Sequence, residues 1–236
     1  MQLLSCTDVN ERTWDTNMIE KPPALEQTPD GLTLTDGRLS LRGDFREMAR
    51  RLSRQNLAKE LLVRAAGGRS FRPGEPGQHP LVIDATAGMG EDSFILAAAG
   101  FTVRMYEYDP VIAALLMDAL ERARLDPELS TVAARMTLYR EDSIKALREL
   151  PERPDVVFLD PMFPERQKSG LVKKKFQLLQ QLERPCADEE DLLNAALVAT
   201  PGRIVIKRPL KGPYLAGRKP DYSLMGKAIR YDCIVL

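Results

Sequence analysis

Four short apolar runs each lead into a carboxylate: LVID ends at Asp84, RMYE at Glu107, MTLYRED reaches Asp142 and VVFLD ends at Asp160. Each run has the length of a strand, and between successive runs apolar residues recur at helical spacing or follow helix-start signals. Alternating strands and helices, with strands apolar on both faces, imply a parallel sheet covered by helices on both sides. Parallel strands point one way, so the four acids are expected at one edge, where open α/β sheets bind their ligands. The patterning predicts strands over Leu81–Asp84, Thr102–Glu107, Met136–Tyr139, Val156–Leu159 and Arg203–Lys207. It predicts helices over Glu91–Ala99, Pro110–Ala123, Ser143–Leu150 and Asp188–Ala199, with a closing hairpin from segments near Leu224 and at Tyr231–Leu236.

The chain of 236 residues divides by pattern into a small α+β appendage over 1–72 and a larger α/β domain over 73–236. In the first part, Asp36-Gly37 marks a hairpin within Gly31–Gly43. Asp44 is placed to cap a helix from Phe45, and the apolar spacing falters around Ser53–Asn56, so two helices are expected before Gly67-Gly68. A Gly/Pro-rich linker follows over 69–80. Hydrophobic residues make up 44% of the chain, enough for a core, and no apolar run approaches the roughly 18 residues that a membrane span needs. The N-terminus lacks the basic and apolar regions of a signal peptide. Cys6, Cys186 and Cys233 are scattered, and His79 is the single histidine. A cytoplasmic protein without a membrane or metal partner is expected.

Net charge is zero, which argues against a strongly electrostatic nucleic-acid binder, but the mean conceals local excess. Residues 41–72 carry nine bases against three acids, and residues 201–236 eight against two. Such segments read either as phosphate-contacting faces or as solvated helix faces.

DATAGMGEDSF (Asp84–Phe94) opens the turn from the first strand into the first helix, where Gly88 and Gly90 permit a tight bend and close approach of a ligand. The dinucleotide fingerprint is incomplete, because Ser93 occupies its third glycine position. Glu91 and Asp92 stand where a pyrophosphate would sit. Two carboxylates there disfavour a dehydrogenase and suit a cationic ligand without phosphate, such as S-adenosylmethionine. Glu107 falls 23 residues after Asp84, where an acid is expected to hold ribose hydroxyls. Tyr108 is placed to pack on adenine, Asp109 to cap the next helix, and Asp142 with Ser143 to receive the adenine amino group or cap a helix.

DVVFLDPMFP (Asp155–Pro164) brings a carboxylate, backbone carbonyls and a ring to the end of a buried strand. An exocyclic amine is a poor nucleophile because its lone pair is delocalised into the base. Asp160 and the carbonyls near Pro161 can hold its N–H groups, and Phe163 can stack on the base. Lys168, Lys173, Lys174 and Lys175 follow and are candidate phosphate contacts. From these residues alone the amine is guanine N2 or adenine N6, and a non-catalytic RNA-binding or ribosome-assembly protein on the same fold stays open.

DATAGMGEDSFILAAAG, RMYEYDPVIAALL, VVFLDPMFPERQKSGLVKKK and VIKRP together resemble the bacterial 16S ribosomal RNA guanine-N2 methyltransferases of the RsmJ type, over roughly Leu81–Pro209. The resemblance implies a Rossmann-like class I methyltransferase fold, a mostly parallel seven-stranded sheet with a C-terminal antiparallel hairpin. It implies S-adenosylmethionine as cofactor and 16S rRNA or the small ribosomal subunit as partner. It places cofactor contacts at Glu91, Asp92, Glu107, Tyr108, Asp142, Ser143 and Asp160. The family pattern has arginine at the positions of Glu91 and Tyr108 and serine at that of Asp142.

Overall fold

The computed structural model describes residues 23–67, 79–161, 178 and 188–236. A three-stranded antiparallel sheet comes first: β1 (Ala24–Thr28), β2 (Gly31–Thr35) and β3 (Ser40–Leu41). A 3-10 turn over Phe45–Arg51 follows, with the Asp44 carboxylate accepting the Arg46 N–H at 3.0 Å. The helical pattern then continues as α1 (Arg54–Leu57) and α2 (Leu61–Gly67). The α/β succession runs β4 (Leu81–Asp84), α3 (Glu91–Ala99), β5 (Thr102–Tyr106), α4 (Pro110–Leu125), α5 (Ser130–Ala133), β6 (Met136–Tyr139), α6 (Ser143–Arg148) and β7 (Val156–Leu159). It closes with α7 (Glu189–Val198), β8 (Arg203–Pro209), β9 (Tyr222–Met225) and β10 (Ile229–Val235).

The last seven strands form one sheet in the order β6-β5-β4-β7-β8-β10-β9. The four pairings from β6 to β8 are parallel, and β10 runs antiparallel to both β8 and β9. This is the Rossmann-like arrangement expected, with the C-terminal hairpin in place. Strand residues alternate between two apolar layers, as period-two geometry demands. Val82, Val156, Phe158 and Val205 enter the layer that holds Phe94, while Ile83, Val157, Leu159, Ile204 and Ile206 enter the layer that holds Leu192.

Local chemistry sets the helix boundaries. Asp109 accepts the N–H groups of Val111 and Ile112, and Pro110 occupies the first turn of α4, where its missing N–H costs nothing. Gly100, at φ +112°, ends α3 and donates its N–H to the Ala97 carbonyl. The N-terminal segment packs onto this frame from two directions. Leu34 and Leu41 meet Val111, Ile112 and Leu115 of α4. Phe45 stacks on Phe94 at 4.4 Å between centroids and shares one apolar cluster with Met48, Leu57, Leu62 and Val63.

Three details differ from the sequence expectation. The segment after Asp44 begins as a 3-10 turn rather than an α-helix, and it has just two residues before α1. ALEQT, composed mostly of helix-tolerant residues, forms β1 because it pairs along its whole length with β2. The short helix α5 gives no periodic signal. No helix among the described residues is long and apolar enough to cross a membrane.

Phe94 has no exposed surface. Phe94→Ala should lower unfolding free energy by about 3–5 kcal/mol in urea titrations, since it leaves a cavity shared by α3 and the N-terminal segment. A loss below about 1 kcal/mol would show that this layer is not the common core.

Candidate active site

The chain leaves β4 toward β5 and β6 on one side, and returns to β7 and β8 on the other. The carboxyl ends of β4 and β7 therefore flank the switch point, where a crevice is left between diverging connections. The turn from β4 into α3 bridges it. Gly88 and Gly90 both adopt left-handed backbone, at φ +52° and +74°. At Gly90 a side chain is excluded twice, because a Cβ would also lie 2.6 Å from Leu116 Cδ1.

Hydrogen bonds clamp this turn from both flanks. On one side, the Asp160 N–H donates to Thr86 Oγ1 at 2.7 Å. On the other, the Gly88 N–H donates to Glu107 Oε2 at 3.0 Å, and the Asp109 N–H donates to Glu107 Oε1 at 2.8 Å. Both Glu107 oxygens thus receive backbone donors and keep acceptor capacity for more. Burial raises the Glu107 carboxyl above its ordinary range, and the backbone N–H groups of Asp109, Gly88 and Tyr108 act against that.

Beneath the turn lies Asp84, 1% exposed. Its carboxylate accepts from Ser93 Oγ at 2.6 Å and from the Thr86 N–H at 3.1 Å. Desolvation pushes its pKa up to about 7 despite these donors. Asp84 therefore reads as the floor of the turn, holding α3 and the strand end together.

The residue that the sequence analysis left without a role is Lys207, on β8. Its ammonium lies 2.5 Å from Asp92 Oδ2 and 2.9 Å from Asp160 Oδ2. Burial opposes the charge, but the carboxylates of Asp160 and Asp92 outweigh it and hold the lysine above its usual pKa. The buried phenol of Tyr231 on β10 is pushed up as well, by desolvation and by Asp92, and stays protonated. The available signal was a lysine inside the apolar run RIVIK, which a buried strand does not carry without a partner.

Glu91 is exposed at the helix start, whereas Asp92 is engaged by Lys207. The charge there is therefore one free carboxylate rather than two, a correction to the simple repulsion expected from sequence. Tyr108 is 63% exposed beside Glu107. Asp142 is exposed and accepts the Ile144 N–H at 2.9 Å as the cap of α6, with Ser143 next to it. Its strand is tied to the site by the Glu107 N–H, which donates to the Tyr139 carbonyl at 3.1 Å. Pro161 is buried after Asp160. Phe163, Lys168, Lys173, Lys174 and Lys175 lie outside the described residues.

Of the nine bases of residues 41–72, three are in ion pairs among the described residues. Arg42 pairs with Asp30 and Asp44, Arg46 with Asp126, and Arg51 with Glu60. Among the described residues no cluster of three His, Cys, Asp or Glu side chains is arranged to hold a metal.

The donor set fits S-adenosylmethionine. A vicinal diol matches the remaining acceptor positions of Glu107, and the carboxylates of Glu91, Glu107 and Asp160 favour a sulfonium over a phosphate. Known proteins agree with that chemistry. The SAM-dependent methyltransferase family model matches residues 14–236. A ribosomal RNA small subunit methyltransferase J of Pseudomonas aeruginosa is 51% identical over 159 residues, 67% of this chain and 61% of that one. The protein of the same name from Pseudomonas savastanoi is 42% identical over 217 residues, 89% of this chain and 78% of its own. The chain belongs to the ribosomal RNA small subunit methyltransferase J family. It spans 61% of the length of its Pseudomonas aeruginosa relative. The crystal structure of a SAM-dependent methyltransferase from Neisseria gonorrhoeae superposes with a TM-score of 0.73 at 31% identity, covering 97% of this chain and 90% of that one.

Asp84 gives the fold a pH dependence of defined sign. Its folded pKa of about 7 lies above the unfolded value, so the folded state binds the extra proton and loses stability as pH rises toward and through that value. Urea titrations of wild type and Asp84→Asn should show the wild type losing up to about 3 kcal/mol relative to the variant between about pH 5 and pH 8. A difference that stays constant with pH would refute the assignment.

Proposed function

We propose that the protein transfers the methyl group of S-adenosylmethionine to the exocyclic N2 amine of a guanine in 16S ribosomal RNA. The observation that carries this reading is the double fixation of Asp160, through its N–H to Thr86 and through its carboxylate to Lys207. Membership of the family and the names of its relatives support it.

When bound, S-adenosylmethionine supplies an electrophilic methyl group on a cationic sulfur. Glu107 is assigned to the ribose hydroxyls, with Gly88 and Gly90 giving the backbone room. Asp142, Ser143 and Tyr108 are assigned to the adenine end, and Glu91 to the rim. Asp160 and the carbonyl beside Pro161 accept the N–H groups of the target amine and turn its lone pair out of conjugation toward the methyl group. The nitrogen becomes cationic as the new bond forms, and a carboxylate at this position stabilises that charge. The surplus proton then leaves to Asp160 or to water. Lys207 acts through Asp160: it fixes the carboxylate's direction and prevents Asp92 and Asp160 from repelling each other. Phe163 is assigned to stacking on the base, and Lys168, Lys173, Lys174 and Lys175 to RNA phosphates. The rest of the acceleration is alignment of nitrogen, methyl and sulfur.

Incubation with labelled S-adenosylmethionine and small-subunit RNA, free or in particles from cells lacking the enzyme, should place label in N2-methylguanosine. Absence of transfer to both substrates would sink the reading, and label in N6-methyladenosine would move the target to adenine. Asp160→Ala should lower kcat by about 100-fold or more at saturating S-adenosylmethionine, a loss beyond any weakening of cofactor binding. Normal turnover in that variant would overturn the mechanism.

Lys207→Met should lower kcat about tenfold without a comparable rise in the cofactor KM, and Lys207→Arg should restore most of it. Equal losses in both variants would reduce Lys207 to a packing role.

A further inference from the structure

The strongest feature outside this site is a pair of loops braced by buried arginines at the same sheet edge. β8 ends at Pro209 opposite Ile229, the first residue of β10, and β9 ends at Met225. The segment after β8 and the turn between β9 and β10 therefore emerge together at the carboxyl edge. The Leu210 N–H donates to the Ala228 carbonyl at 3.0 Å and staples one to the other.

Arg230, 4% exposed, donates through Nη1 to the carbonyls of Pro209, Leu210 and Gly212 at 2.7, 2.9 and 2.9 Å. Its Nε is held by Asp232 at 2.9 Å. Arg208, 1% exposed, donates to the Pro213 carbonyl at 3.0 Å and pairs with Glu189 at 3.2 Å. Four successive or near-successive carbonyls are thus fixed by two guanidinium groups withdrawn from water. Burying such groups is costly unless they are paired and hydrogen-bonded; here Asp232 and Glu189 pair the charges, and the bonds to carbonyls give one loop a single shape.

That loop and its stapled turn carry an unusual surface. Lys211 and Lys227 are exposed, and Arg218 and Lys219 follow the 3-10 turn over Leu215–Gly217. Tyr214 lies under the Arg230 guanidinium, 5.1 Å from the ring centroid, and remains 39% exposed. Between residues 210 and 228 the sole acid is Asp221. It accepts the Val235 N–H, and Val235 pairs with Arg203 at the opposite edge. Among the described residues none of the four cations is in an ion pair, in contrast to Arg42, Arg46 and Arg51. Lys211 follows Lys207 by four residues, at most about 14 Å of backbone.

We propose that these loops form a phosphate-binding surface for the RNA strand beside the reacting base, with Lys211 and Lys227 contacting phosphates and Tyr214 stacking on a neighbouring base. This rests on the reading that the substrate is RNA. It adds to that reading a rigid contact surface distinct from the lysines assigned after Asp160. A preformed loop pays little ordering entropy when the strand arrives, and cationic contacts release condensed counterions.

Lys211→Ala combined with Lys227→Ala tests it. Filter binding of small-subunit RNA between about 50 and 200 mM KCl should give a log K against log salt slope shallower than wild type by about 1.4, two single-strand contacts at about 0.7 each. The RNA KM should rise about tenfold while kcat and S-adenosylmethionine affinity hold, as expected for lost uniform binding. Arg38→Ala combined with Lys59→Ala, an equal change of net charge elsewhere on the surface, should leave the slope unaltered. An unchanged slope in the first variant, or an equal drop in both, would overturn the proposal. Failure of the wild type to methylate any RNA would refute the functional reading instead, because salt-dependent binding is measured without turnover.

Discussion

A parallel sheet buried on both faces leaves only its edges for chemistry. Here the two faces are closed by apolar layers that take alternate residues from β4, β7 and β8. Polar groups that must stay reachable are therefore driven to the strand ends. With parallel strands, the acid that ends β4 and those that follow β5, β6 and β7 gather along a single rim. The glycine turn, the Glu107 clamp and the Asp160 anchor all depend on that constraint, because each joins groups brought to the same height by parallel register.

Gathering carboxylates has an electrostatic cost, and the structure meets it by several means. Asp84 sits in a site dry enough to approach neutrality near physiological pH. Glu107 is compensated by backbone N–H groups rather than by a cation. Asp92 and Asp160 share the Lys207 ammonium, and the resulting trio carries one net negative charge. The rim as a whole stays electronegative without stacking unshielded like charges, a surface well matched to a cationic sulfur.

Sequence pattern reveals this protein unevenly, for physical reasons. Val156–Leu159 and Asp160 were legible because a wholly apolar strand ending in Asp-Pro has few other uses. Asp109 was legible because capping is a local interaction, completed within three residues. Lys207 was not, since its partners lie on α3 and beyond β7, and nothing in RIVIK shows which carboxylates the fold brings near. The pairing of Arg42, Arg46 and Arg51 with distant or neighbouring acids was hidden for the same reason: base counts along a chain do not register who faces whom. β1 was missed because its strand character comes from pairing with β2 rather than from its own residues.

The turn between β4 and α3 is held at Thr86 by the strand that presents Asp160, and at Gly88 by the side chain assigned to the ribose. On the proposed assignment, two binding events that look separate would pull on one short piece of backbone. Whichever partner arrives first and stiffens that segment lowers the ordering cost left for the second, and thermodynamic reciprocity requires the assistance to be equal in both directions. On the proposed assignment, cofactor and base would be each other's effectors, coupled through the turn from Thr86 to Gly88.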